Sequence, residues 1–187
     1  IDDITFSAPA APEVAVFGDS VEIIDGDTTP VTTDATDFGT TNVGAAVSKT
    51  FTVKNTGTAT LTTNGLTVPA GFAVTEGLSA SIPAGGSDTV TVKLAAAASG
   101  SYSGQISFVN NDGNENPYNF TIKGTVVVPA FSLVGNVLTV TGTSNNDYIR
   151  GQIVNNVLTM KVNSLSQSFN NASTITKIVV NALAGAD

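Results

Sequence analysis

Across residues 13–128 apolar and polar side chains alternate in short runs, and Gly, Asn, Asp and Pro interrupt the runs at close intervals. Period-two alternation turns one face of a segment to a core and the other to water, so each run predicts a half-buried β-strand. Val14–Phe17 and Val21–Ile24 flank the tight-turn triplet Gly18-Asp19-Ser20. In Val47–Lys54 the set Val47, Lys49, Phe51 and Val53 alternates with Ser48, Thr50, Thr52 and Lys54, which predicts Phe51 and Val53 inward. Asn55-Thr56-Gly57-Thr58 then turns the chain. Further strands are predicted at Ala59–Val68, Phe72–Thr75, Leu78–Ile82, Asp88–Leu94, Gly104–Val109 and Tyr118–Val127. Their inward sets are Val90, Val92 and Leu94, then Ile106 and Phe108, then Tyr118, Phe120 and Ile122.

About seven to nine strands in about 115 residues is the scale of an immunoglobulin-like β-sandwich. Either side of it the pattern changes. Ile1–Ser7, IDDITFS, is strand-like and runs into the stiff Ala/Pro linker Ala8–Pro12. Ile4 and Phe6 fall on one face and need a partner. Residues 1–12 are therefore expected to be the end of a preceding domain or a donor strand, with Ile1, Ile4 and Phe6 as its interaction residues. The chain begins at Ile1 instead of Met, so it is expected to be a piece of something longer. Beyond Pro129, Val134–Val140 (VGNVLTV) recurs twenty residues later as Val154–Met160 (VNNVLTM), and Val140–Asp147 is echoed forty residues on by Val180–Asp187. A constant spacing predicts stacked strand-turn units over 129–187, either a short β-solenoid or a meander. The expected fold is all-β, a sandwich over 13–128 followed by a small second β domain.

Composition narrows the function. The 187 residues are 41% apolar, enough for a core, and only 12% charged, so solvent-facing positions must be mostly uncharged polar groups. The net charge is −8, and nine acids from Asp2 to Asp37 precede the first base, Lys49. Nucleic acid and anionic membrane are disfavoured as partners. No run is long enough for a membrane span. With no Cys and no His, disulfides, Cys/His zinc sites and His-based triads are excluded. There is no Trp and there are only three Tyr, which leaves little stacking surface for sugars, and no enzymatic role is expected.

In order, VEIIDGDTTP, TDATDFGTTNVG, KTFTVKNTGTATL, IPAGGSDTVTVKL and SGSYSGQISFVNNDGNENPYNFTIKGT resemble the pattern of "choice-of-anchor D" modules, relatives of the ASPM/SPD-2/Hydin domains. The resemblance implies an immunoglobulin-like, non-catalytic module of a large secreted or cell-surface bacterial protein. Leu138–Ile149 and Val179–Asp187 resemble the lead-in to RTX-type calcium repeats, although Ala182, Leu183 and Ala186 depart from that pattern.

Asp25-Gly26-Asp27 and Asn110-Asn111-Asp112-Gly113-Asn114-Glu115 offer carboxylates and amide carbonyls, the hard oxygen donors calcium prefers. Asp25, Asp27, Asp112, Asn114 and Glu115 are accordingly the candidate metal ligands. The same residues also favour turns through bonds to their own backbone, and neither loop has EF-hand spacing. Three roles stay open: a spacer or interaction domain, a filament subunit polymerising through Ile1–Phe6, and a calcium-dependent ligand-binding module. The expected partners are other domains of the same polypeptide or copies of the chain itself.

Overall fold

The computed structural model describes residues 9–142, 147–163 and 165–181. The strand expected at Ile1–Phe6, with Ile1, Ile4 and Phe6, lies outside the described residues, as do Thr143–Asn146 and Ala182–Asp187 of the RTX-like pieces. The chain divides into two units, Ile1–Val127 and Val128–Asp187. Among the described residues no helix is long and apolar enough to cross a membrane.

Among the described residues of the first unit ten strands follow one another: β1 (Val14–Gly18), β2 (Val21–Ile23), β3 (Asp37–Asn42), β4 (Val47–Asn55), β5 (Leu61–Thr67), β6 (Phe72–Glu76), β7 (Ser81–Ile82), β8 (Ser87–Leu94), β9 (Gly100–Asn110) and β10 (Tyr118–Val127). They form two five-stranded sheets, ordered β2-β1-β4-β8-β6 and β3-β10-β9-β5-β7. Asp19 and Ser20, which join β1 to β2, both hold positive φ (47° and 69°). That is the backbone of a two-residue hairpin turn, whose twist matches the strands it connects.

The inward sets read from alternation are buried. Phe51, Val53 and Val92 are completely enclosed on one sheet, and Ile106 and Ile122 on the other. Phe51 meets Phe120 edge-on at 5.2 Å between ring centres, Phe38 meets Phe72 at 5.0 Å, and Phe108 stacks on Tyr118 at 5.6 Å. The centre of the outer face of β4 and β8 is threonine: Thr50 lies opposite Thr91, with their hydroxyls 2.9 Å apart, and Thr52 lies opposite Thr89. Ser48 opposite Lys93 and Ser87 opposite Lys54 flank this uncharged centre.

β3 was not expected from alternation, because Phe38 is its one large apolar residue. It is held instead by parallel pairing to β10, whose register shifts between Lys123 and Thr125. A Cβ on Gly124 would meet Leu94 Cδ2 at 2.7 Å and Phe38 Cβ at 3.1 Å, so only glycine fits the crossing.

The route of the chain through this unit bears on function. Val14 donates its N–H to Asp112 Oδ2 (2.9 Å), which places the start of β1 at the end of the sandwich where β9 connects to β10. Val127 closes β10 at the opposite end. With 10 residues in β10, the two ends are roughly 30 Å apart. The incoming segment is fastened to the Asn55–Ala59 turn: Thr56 N–H donates to Glu13 O, and the N–H groups of Thr58 and Ala59 donate to Ala11 O. A Cβ on Gly57 would lie 2.3 Å from Ala11 O and 2.5 Å from Glu13 N, so glycine is needed for this approach.

The second unit contains β11 (Phe131–Val134), β12 (Val137–Thr141), β13 (Ile149–Val154), β14 (Val157–Val162), β15 (Leu165–Asn170) and β16 (Lys177–Asn181), in sheets ordered β11-β12-β16 and β13-β14-β15. β12, β14 and β16 begin at 137, 157 and 177, and of their second residues Leu138 and Leu158 are buried whereas Ile178 is exposed. Leu138, Val140, Leu158, Met160, Val162 and Phe169 form a core distinct from that of the first unit. Asn155 and Asn156 turn β13 into β14 with φ of 50° and 61°, the same hairpin solution as Asp19-Ser20. β13-β14-β15 is an antiparallel meander, whereas β16 lies parallel to β12. Asp147 accepts a hydrogen bond from Asn163 Nδ2 (2.6 Å).

Candidate functional site

The two acidic loops singled out in the sequence are both anchored to the start of β10. Asp25 Oδ1 accepts the Asn119 N–H at 2.7 Å, Gly26 N–H donates to Asn119 O, and Asp27 forms a bridge with Phe120. The Asp27 carboxylate is occupied locally: Oδ1 accepts the N–H and the hydroxyl of Thr29 at 2.8 and 2.7 Å. The Thr29 hydroxyl bond, followed by its N–H bond, holds the Asp27 carboxyl below the usual range. A shallow hollow of about 460 Å³ lies over this loop, lined by residues including Glu22, Asp25, Asp27 and Thr29.

The second loop is more enclosed. Asp112 is 4% exposed. Its Oδ2 takes the Val14 N–H, its Oδ1 takes the Asn114 N–H at 3.3 Å, and its own N–H donates to Asn110 Oδ1 at 2.7 Å. Asn110 Nδ2 in turn donates to Glu115 O at 2.7 Å. The loop is thus a network of side chains satisfying backbone groups, as buried polar segments require.

Glu115 is the exception. Its Oε2 is buried and, among the described residues, has no hydrogen-bond partner. Burial pushes its carboxyl above the ordinary glutamate range, and the charges of Asp112, Glu13, Asp25 and Glu22 push it further. Carboxylate oxygens of Glu13, Asp112 and Glu115 lie within 4.8 Å of one another, so these three are the residues that could hold a metal ion. Of the five ligands expected from sequence, Asp112 and Glu115 belong to this group. Asn114 appears through its backbone N–H, and Asp25 and Asp27 are engaged with Asn119 and Thr29. Glu13 was missed. It stands about 100 residues away in sequence and reaches the loop only because β1 starts there, so no local spacing could have revealed it.

Tyr118 is buried beneath the same end and donates its hydroxyl to Ile23 O. Burial, with the nearby charges of Glu115 and Asp25, raises its pKa far above the ordinary tyrosine value. It serves as a structural donor. What the site presents is a concentration of acid at one end of a sandwich.

No curated protein matches the chain. In structure it is similar to a protein of unknown function from Porphyromonas gingivalis W83, at 14% identity and TM-score 0.45, covering 64% of this chain and 49% of that one. It is also similar to PapD-like domain 7 of human CEP192, at 13% identity and TM-score 0.47, covering 69% and 96%. A third likeness is to the VesB protease of Vibrio cholerae, at 23% identity and TM-score 0.37, covering 48% and 29%. The chain therefore spans about half the length of the Porphyromonas protein and less of VesB. Residues 30–125 match the family model described as HYDIN/CFA65/VesB-like, Ig-like domain. Since that match takes in just over half of the chain, from the loop before β3 to the last turn of the ladder on β10, the chain belongs to the HYDIN/CFA65/VesB-like Ig-like domain family.

Proposed function

We propose that the chain is a non-catalytic link in a large secreted or cell-surface protein, a spacer that carries tension and presents surface to other domains or to copies of itself. The observation behind this reading is the route of the chain: it enters the Ig-like unit beside the β9–β10 connection and leaves at the far end of β10, roughly 30 Å away. A unit threaded end to end adds length when joined in series. Tension on its ends runs along β1 and β10, so the bonds of β1 to β4 and of β10 to β3 and β9 are sheared together. The choice-of-anchor D resemblance, and the RTX-like pieces of the second unit, support a place in bacterial surface proteins. Pulling the full chain from its two ends should give a discrete force peak for the first unit, releasing roughly 380 Å of chain. Extension without a peak above the elasticity of unfolded chain would reject the spacer reading.

A second reading is favoured by the unpartnered Glu115 Oε2: a calcium ion held by Glu13, Asp112 and Glu115. A cation there would offset the mutual repulsion of the three carboxylates. Without it the folded chain binds the Glu115 proton more tightly than the unfolded chain does. Stability from this group therefore rises as pH falls through its raised folded-state value and is lost as pH climbs back through it. Asp27 and Asp88, whose carboxyls are pulled down, act in the opposite sense and lose their contribution only at lower pH. The melting temperature should thus rise slightly as pH falls from neutral toward the ordinary glutamate range, and Glu115→Gln should abolish the rise. Millimolar calcium at neutral pH should stabilise the wild-type chain and leave Glu115→Gln unmoved. An unmoved wild-type melt would sink the cation reading.

A further inference from the structure

The charge of the chain is divided unevenly. Thirteen of the 15 acids lie in Ile1–Val127 with four of the bases, whereas Val128–Asp187 carries three bases against two acids. Two of those three bases are placed together. Arg150 on β13 is the register partner of Lys161 on β14, so the two cations sit directly opposite each other, an arrangement that destabilises a sheet unless something neutralises it. Both are exposed, and among the described residues neither makes an ion pair. Because Leu158, Met160 and Val162 take the core side of β14, Lys161 and Thr159 take the outer side, with Arg150 and Gln152 opposite them. These four residues line a concavity of about 270 Å³. The neighbouring register partners on β15 are Ser166 and Ser168, so among the described residues no carboxylate is paired with these cations across the sheet.

The first unit shows the reverse arrangement. Glu13, Asp112 and Glu115 are crowded together, Glu22 and Asp25 add to the repulsion felt by Glu115, and Glu115 Oε2 is left without a partner. One surface presents two cations without an ion-pair partner among the described residues, the other presents the exposed carboxylates of Glu13 and Glu22 above the more enclosed Asp25, Asp112 and Glu115, and both belong to the same polypeptide. We propose that the Arg150/Lys161 face of one copy docks on the acidic end of the Ig-like unit of a second copy. The two patches are different surfaces, so the contact is heterologous. Repeated from copy to copy it produces a ring or an open chain of molecules. This contact does not depend on the spacer reading, since it concerns which surfaces meet and not how tension is carried.

Sedimentation velocity on the full chain, from micromolar to near-millimolar concentration, tests the contact. At about 20 mM salt the average mass should rise with concentration, and at about 300 mM the association should weaken at least tenfold, because exposed charge pairs are screened. Arg150→Glu/Lys161→Glu should be monomeric at low salt, as should Glu13→Lys/Glu22→Lys. All four positions are exposed, so both variants should keep the wild-type circular dichroism, and Glu13→Lys/Glu22→Lys should melt no lower than wild type, since it removes two of the charges that repel Glu115. Mixing the two variants should restore association, since the reversed end of one matches the reversed face of the other. The proposal is overturned by a wild-type chain that stays monomeric at low salt, including one whose cationic face instead takes up a carboxylated polysaccharide. Association that survives Arg150→Glu/Lys161→Glu overturns it equally.

Discussion

Phe51→Ala is expected to destabilise the Ig-like unit by about 3–5 kcal/mol, which is a large share of the stability of a domain this size. Phe51 has no exposed surface, and its ring is the edge-on contact to Phe120 that couples the first sheet to the second. Within its own sheet it lies between Gly18 on β1 and Val90 on β8. A Cβ on Gly18 would come 3.3 Å from the Phe51 ring and 1.7 Å from Asp34 O, so the ring fills space that the backbone cannot move in to occupy. Truncation therefore leaves a cavity where relaxation is blocked from two sides, which puts the cost at the upper end for a buried aromatic. The second unit has a separate core and should be indifferent. Calorimetry should show the larger transition lowered by roughly 10–20 °C and the smaller one unmoved. A loss below about 1 kcal/mol would contradict the packing argument, and a joint shift of both transitions would contradict the independence of the cores.

The contrast between Phe51 and Glu13 shows what the sequence made legible. Phe51 sits in a run whose alternation points it inward whatever the neighbouring strand is, and the same holds for Val92, Ile106 and Phe120. Period-two patterning is a local property and survives without any knowledge of pairing. β3 has no such pattern, because parallel pairing to β10 holds it in place of an alternating apolar face. The strand expected over Leu78–Ile82 shrinks to Ser81–Ile82 for a related reason: Ser79 N–H donates to Asp88 Oδ2 and Ser79 O accepts the Thr63 hydroxyl, so side chains take the place of ladder bonds. The acidic site was half legible. Asp112 and Glu115 advertise themselves in a loop of turn residues, but their third neighbour comes from the start of β1 and is set by topology. The same holds for Arg150 and Lys161, two ordinary surface cations until the register of β13 and β14 sets them face to face.

Asn55→Ala should be nearly as damaging, at about 2–4 kcal/mol, and its damage should fall on the segment through which tension reaches the fold. Asn55 is fully buried, and both halves of its amide are in use. Nδ2 donates to Ala59 O at 2.8 Å and to Ile82 O at 3.0 Å; Oδ1 accepts the N–H of Gly57 at 3.1 Å and that of Glu13 at 3.4 Å. Its backbone is paired as well, donating to Gly86 O and accepting from Gly85 N–H. Alanine keeps the backbone bonds but takes this partner from two carbonyls and two N–H groups, the Ile82 carbonyl among them buried, and a buried orphan costs more than the bond it lost. The urea midpoint should fall with little change in slope, which marks a change in stability and not in the extent of unfolding. Because the stranded groups surround Glu13 and the turn that fastens it, amide exchange at Glu13, Val14 and Thr56 should accelerate more than exchange in β9 and β10. The same variant, pulled from its ends, should yield at lower force than wild type, since β1 is then sheared from β4 with its outer fastening already loose. Uniform acceleration of exchange across the unit would show instead that Asn55 supports the whole sandwich and not the incoming strand.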